Sequence, residues 1–433
     1  MTPLRNIRGA VAGLVLAAAG LPGAAQEFST LKGHGGPIMG VAVSPSGQLA
    51  TASFDNSVGL WQDGTPDWLE GHAAAVTAVA WGPEETLFSG GDDFAVRAWG
   101  ETPRVLGLHE GKVTSLAVSP DGGTVASGSW DGSIRLWPLD DGEGDARALP
   151  APGSGVNAVA FSRDGGALYA GTTNGALLRY ELGSDAAPVP LVQHGFGINE
   201  LVVGPGWIAY GAVDGGTRVI DTATGAAIAD LTLERRPILA MSYHEPTHQL
   251  AVGDGHGYIM ILDTTDWQIT RDFRATREGP VWALAFSPDG QVIHAGGLDD
   301  VLYAWPVEML DSFDPAIDGR RSFLRDADTM PNGERQFMRK CSICHALEPG
   351  PSRKAGPTLH GVFGRRAGTV PGYSYSDTLD GSGIVWDDTT IDALFDQGPE
   401  HYIPGSKMPM QVIAGAADRA DLIAFLRQAT TGE

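Results

Sequence analysis

The only two cysteines of the 433-residue chain stand in Arg339-Lys340-Cys341-Ser342-Ile343-Cys344-His345, spaced as Cys-x-x-Cys-His. Two thiols three positions apart can each form a thioether to one porphyrin, with the adjacent histidine under the iron. The spacing therefore reads as a c-type haem attachment site. A surface disulfide or a thioredoxin-like redox pair would also use two cysteines, but neither calls for His345, and the βαβ context of a thioredoxin pair is missing. A four-ligand zinc site would need more cysteine or histidine nearby. One covalently bound haem c is the cofactor expected.

A second motif follows some sixty residues on, Tyr402-Ile403-Pro404-Gly405-Ser406-Lys407-Met408. An extended Pro-Gly segment can carry the Met408 thioether to the open face of a haem, and His/Met ligation raises the iron's potential and suits electron transfer. A lone methionine is also ordinary core filler, and Met410, two residues further, is the second candidate ligand. Two helices must hold these loops. Phe337 and Met338 are spaced for a helix leading into Cys341. Leu422, Phe425, Leu426 and Ala429 make one apolar stripe, with Asp418 as the expected N-cap. Residues 311–330 mix Asp, Arg and Pro without strand alternation and read as a linker, with one helical turn expected over 320–326.

Taken together, residues 331–430 of a C-terminal domain expected over 331–433 resemble the class I, mitochondrial-like cytochromes c. The resemblance implies an all-α domain with His345 and Met408 as the axial ligands of the iron. It further implies that the Pro357 carbonyl, in Ala355-Gly356-Pro357-Thr358-Leu359-His360-Gly361, accepts the Nδ1–H of His345. Arg365, Tyr375 and Trp386 match positions that bind haem propionates, Gly333 and Phe337 should cross the last helix at Phe425, and His360 is a loop histidine rather than a ligand. Two positions depart from the pattern. Phe395 stands where a tyrosine is common, and Leu379 where a polar residue is common, so the methionine side of the pocket should be less hydrogen-bonded.

Ahead of this domain the chain repeats itself. Leu31-Lys32-Gly33-His34, Leu69-Glu70-Gly71-His72 and Leu106-Gly107-Leu108-His109 are near-copies. Each precedes an alternating apolar run such as Val113–Val118, then a turn such as Ser119-Pro120-Asp121-Gly122, a small-residue strand and a second turn such as Asp131-Gly132. Four degenerate copies begin at Val156, Ile198, Ile238 and Val281. The closing positions Trp61, Trp99, Trp137, Tyr180, Ile220, Leu262 and Trp305 are 38–43 residues apart, close to the ~40–45 of one propeller blade.

These copies resemble the WD40 repeat, which implies a seven-bladed all-β propeller over residues 26–310. The resemblance implies buried His/Asp/Trp sets at His34/Asp55/Trp61, His72/Asp93/Trp99 and His109/Asp131/Trp137. The equivalent turn residues of the later blades are Asn174, Asp214, His256 and Asp299. Blades four to seven lack the full set and are expected to pack more loosely. The spare strand before His34 should be the outermost strand of the seventh blade, closing the ring and hiding an edge.

Charge and the N-terminus bound the function. A formal net charge of −23 argues against a nucleic-acid partner. Most of the negative charge lies in the propeller, where Asp92-Asp93 and Asp299-Asp300 suggest acidic rims. Arg339, Lys340, Arg353, Lys354 and Lys407 instead form a basic collar around the haem motifs. Such a collar could steer an acidic redox partner, dock on the chain's own propeller, or simply be solvated surface. Residues 1–25 read as a secretory signal: Arg5 and Arg8, a short apolar run from Gly9 to Leu21, then Gly23-Ala24-Ala25 before Gln26. No stretch has the length of a membrane span. The expectation is a periplasmic one-electron carrier, an electron-transfer protein whose propeller docks a redox partner protein. The alternative is an oxidoreductase whose propeller holds a substrate or second cofactor and whose cytochrome domain accepts the electrons.

Overall fold

The computed structural model describes residues 28–139, 146–232, 237–276, 279–309 and 330–430. The expected signal segment and the helical turn over 320–326 lie outside the described residues. Among those described, no helix is long and apolar enough to cross a membrane.

The described residues between 28 and 309 form seven four-stranded antiparallel sheets. The innermost strands are β2 (Ile38–Val43), β6 (Val76–Trp81), β10 (Val113–Val118), β14 (Val156–Phe161), β18 (Ile198–Gly204), β22 (Ile238–His244) and β26 (Val281–Phe286). Each packs on the next around the ring, and β26 returns to β2. Side chains at the second position of several inner strands stitch neighbouring blades. Thr114 donates to the Val156 carbonyl at 2.7 Å, Asn157 to Ile198 at 3.0 Å and Asn199 to Ile238 at 2.9 Å. Small residues allow the approach: a Cβ at Gly128 would lie 2.6 Å from a Val156 methyl.

The ring closes as the spare N-terminal strand suggests. β1 (Ser29–Lys32) pairs antiparallel with β28 (Val301–Pro306), completing the sheet that begins with β26 and β27 (Val292–Gly297). Phe28 packs on Trp305 with ring centroids 4.5 Å apart. The two ends of the propeller chain thus share one blade, and an exposed sheet edge is avoided.

The blade interiors show how the repeat works. In blade one His34 Nδ1 lies 2.9 Å from Asp55, Nε2 lies 2.7 Å from the Thr51 hydroxyl, and Trp61 donates to that hydroxyl at 2.8 Å. Blade two repeats this with His72, Asp93, Ser89 and Trp99. Burial opposes ionisation of Asp55 and Asp93, but the histidine hydrogen bonds hold both carboxyls below the usual range. Blade three departs from the expected set. His109 Nδ1 pairs with Ser133 at 2.6 Å, and Asp131 stands back at 3.7 Å, where it caps the Glu110 and Ser133 amides.

The later blades vary the turn chemistry. In blade six the turn carboxylate is Asp254, buried and accepting from the amides of His256 and Tyr258, so the role expected at His256 sits two residues earlier. In blade five His194 pairs with Asp214 at 3.0 Å and Arg218 with Asp214 at 2.9 Å. The looser packing expected of this half is not seen at the closing positions: Tyr180, Ile220 and Leu262 are 1%, 3% and 0% exposed, against 5%, 9% and 5% for Trp61, Trp99 and Trp137. Apolar burial there replaces the indole hydrogen bond.

Residues 330–430 carry four helices among long loops: α1 (Asn332–Lys340), α2 (Asp388–Gln397), α3 (Pro399–Tyr402) and α4 (Ala416–Thr430). α1 carries Glu334 in its first turn and Arg339 and Lys340 in its last, matching the helix dipole. α2 begins in a capping box between Asp387 and Thr390. α4 starts two residues before Asp418, which lies in its first turn instead of capping it. Asp418 there accepts from Asn332 at 2.8 Å, tying α4 to α1. The two helices cross at Gly333, and Phe337 meets Phe425 with centroids 5.5 Å apart.

Candidate haem site

The cysteines leave α1 on a tightening turn. The Cys341 amide donates to Phe337 at 2.8 Å and the His345 amide to Cys341 at 2.9 Å, so both cysteines and the histidine ride one helical turn. The following loop is folded back on them: Gly356 donates to the Cys344 carbonyl at 2.7 Å and Leu359 to Ala346 at 2.8 Å. This return brings the Pro357 carbonyl to His345 Nδ1 at 2.7 Å. A carbonyl can only accept, so Nδ1 carries the proton, and the neutral ring keeps its lone pair on Nε2. Burial pushes the His345 pKa down, which favours that neutral, ligating form.

Cys341 and Cys344 are not joined in a disulfide, and burial would push them, as thiols, up to about 12 and about 11. A redox pair needs the opposite shift, toward the thiolate. Among the described residues no group of three or more His, Cys, Asp or Glu could hold a metal ion by itself.

All eight residues assigned from the sequence — Cys341, Cys344, His345, Pro357, Arg365, Tyr375, Trp386 and Met408 — line one cavity of about 490 Å³. The methionine loop is held by Thr378 donating to the Pro404 carbonyl at 2.7 Å and by Met408 donating to the Ser406 hydroxyl at 3.1 Å. Met408 packs on the helical core, whereas Met410 is 55% exposed and lies off the cavity. Arg365 donates to the carbonyls of His360 and Thr358, both at 2.8 Å, and the Tyr375 hydroxyl accepts from the Val370 amide at 3.2 Å. His360 is absent from the cavity wall; it serves the loop through its backbone. Phe395 and Leu379 do face the cavity, giving its wall two apolar side chains at the departing positions.

These residues fit a covalently held porphyrin. The cavity has the size and apolar lining of a small-molecule site, with two thiols and an oriented imidazole on its wall. The wall is also tight where a loop passes beneath the imidazole: a Cβ at Gly356 would meet His345 at 2.5 Å. Sequence reasoning missed Tyr373, which lines the cavity and donates to the Ala355 carbonyl at 2.8 Å; its signal was only a second tyrosine two places before Tyr375. It also missed that the propeller contributes. Phe54, Asn56, Ala74, Asp92 and Asp93, from turns of blades one and two, wall the same cavity.

Fold and site together define a c-type haem protein joined to a seven-bladed propeller. Residues 331–430 match the family model "Cytochrome c", and residues 25–62, 66–100, 100–138 and 267–305 match "WD domain, G-beta repeat". The unmatched stretch covers blades four to six, where the histidine–tryptophan signature has eroded. The chain is 44% identical over 100 residues to the cytochrome c of Sesamum indicum, covering 23% of this chain and 88% of that protein. It is 46% identical over 99 residues to cytochrome c of Arabidopsis thaliana, covering 23% of this chain and 87% of the relative. Against cytochrome c of Gibberella zeae it is 44% identical over 98 residues, covering 23% and 92%. Through its C-terminal domain the chain belongs to the cytochrome c family. It carries covalent haem c and acts as an electron carrier, with a propeller of the kind that docks proteins.

Proposed function

We propose that this protein is a periplasmic one-electron carrier with His345 and Met408 as axial ligands, whose propeller docks a redox partner protein. The observation that carries the ligation is the convergence of Met408, and not Met410, on the cavity that holds the two thiols and the Pro357-oriented imidazole. Haem held by Cys341, Cys344, His345 and Met408 would supply one-electron ferric/ferrous chemistry, at a potential that the Met408 thioether would raise. The chain's own residues set the conditions. Pro357 fixes the imidazole tautomer, Arg365 and the tyrosine pair offer polar groups on one side, and Phe395 and Leu379 keep the methionine side apolar and dry. Export is supported by the Arg5/Arg8, apolar, small-residue order of residues 1–25.

Met408→Ala should lower the reduction potential and let added imidazole bind the haem, while Met410→Ala leaves both as in the parent protein. Equal behaviour of the two variants would rule out Met408 as the ligand. Cell fractionation with and without residues 1–25 tests the compartment, and haem-loaded protein recovered from the cytoplasm would refute export.

A further inference from the structure

The haem loop does not stand free of the propeller. Arg353 lies over the Trp68 ring at 4.0 Å and reaches Glu70 at 3.3 Å and the buried Asp55 at 3.8 Å. Next to it, Lys354 Nζ donates to the Gly35 carbonyl at 3.3 Å. The backbones themselves touch: a Cβ on Gly35 would lie 2.2 Å from the Arg353 carbonyl carbon and 2.6 Å from the Lys354 nitrogen. Thus two of the five basic residues around the haem motifs are already used on blade one, beside that blade's His34–Asp55 pair. The same face supplies Phe54, Asn56, Ala74, Asp92 and Asp93 to the cavity wall.

We propose that the rim of blades one and two is an intramolecular docking surface for the haem domain, a salt-releasable cap over the cavity mouth that a protein-sized redox partner must displace. The partner of the Arg353–Lys354 loop is the chain's own acidic propeller. Both halves of the contact are electrostatic at the periphery and steric at the centre. Arg353 meets a carboxylate and an aromatic face, and Gly35 admits the loop backbone only because it has no side chain. A small reductant needs no docking face and so should be little affected by the cap.

Two substitutions break the contact by different physics. Arg353→Glu reverses the charge, and Gly35→Ala adds a methyl whose nearest obstacles are all backbone atoms of the loop, so no rotamer relieves it. Neither residue lines the haem cavity. A cation–π contact with an adjoining ion pair biases a closed state about tenfold. In holoprotein of full length, each variant should therefore be reduced about tenfold faster by a protein-sized probe, a separately prepared ferrocytochrome c. Its reduction by ascorbate should change by less than about twofold. Solution scattering should give a larger maximum dimension for both variants, and for the parent protein in high salt. Pairing Arg353→Glu with Glu70→Arg should restore the parent's dimension and slow rate. Unchanged scattering in both variants overturns the proposal, as does a slower reaction with the protein probe, which would make the docked rim the partner's landing face. Scattering does not depend on iron ligation, so its outcome is separate from the fate of the His345/Met408 assignment.

Discussion

Gly333→Ala sets two local effects of opposite sign against each other. Gly333 lies inside α1 with ordinary helical backbone, so on helix propensity alone alanine should stabilise by about 1 kcal/mol. The crossing with α4 opposes it. The new Cβ would lie 2.1 Å from the Asp421 carbonyl oxygen and 2.8 Å from the Cβ of Phe425. Ordinary contact begins more than an ångström further out, and the first obstacle is backbone, so the helices must move apart. That separation would loosen the Phe337–Phe425 contact, and Asn332 would lose its hold on Asp418 and Asp421. Overpacking of this kind costs about 3 kcal/mol, leaving a net loss of about 2 kcal/mol. For a domain of this size that is a fall of about 10 °C in Tm. The assay is thermal unfolding of the holoprotein followed by haem absorbance, which reports the helical domain apart from the propeller. A Tm that is unchanged or raised would show that the crossing tolerates a methyl and that the contact argument is wrong.

Other consequences follow from the propeller. Deleting residues 26–33 removes β1 and the Phe28 contact with Trp305. The propeller transition, read by tryptophan fluorescence, should lose about 3 kcal/mol or more, and equal melting of parent and truncated proteins would refute closure by β1. Acid should weaken the propeller well above the carboxylate range. Burial holds His109 and His294 down to about 4 from 6.5. Between those values the unfolded chain binds protons that the folded chain does not, so stability is complete above pH 6.5 and falls as pH drops toward 4. At pH 5 the loss is up to about 2 kcal/mol per histidine, measurable by urea unfolding at pH 7 and 5. Glu200, raised by burial to about 8, titrates with the opposite sign, so the test uses Glu200→Gln protein, in which a flat profile over this window would mean that neither ring stays neutral in the fold.

Local patterns in the chain already carried much of this. The Cys-x-x-Cys-His turn, the Pro-Gly-x-Lys-Met loop and the seven-fold spacing are short-range, because thioether attachment and blade geometry both demand set distances along the sequence. Blade closure was equally legible, since a strand without a blade and a blade without its last strand must find one another. The errors lay in substitutions within an otherwise regular plan. Counting back six residues from Leu262 pointed to His256, whereas the carboxylate that accepts from the His256 and Tyr258 amides is the buried Asp254. Asp418 resembled a cap by type, but α4 gains two residues before it and its carboxylate turns to Asn332.

The meeting of the two domains was legible only as one of three readings of the basic collar, with no receiving residue assigned on the propeller. Arg353 and Glu70 are 283 positions apart, and nothing in either neighbourhood distinguishes an arginine on solvent from one over Trp68. Nor does a glycine that precedes a blade announce that a loop will rest on it. Linear spacing specifies groups that one short segment must present to a single cofactor. It says nothing of surfaces that become neighbours only after both domains have folded, because their complementarity lies in shape and charge across space rather than in order along the chain.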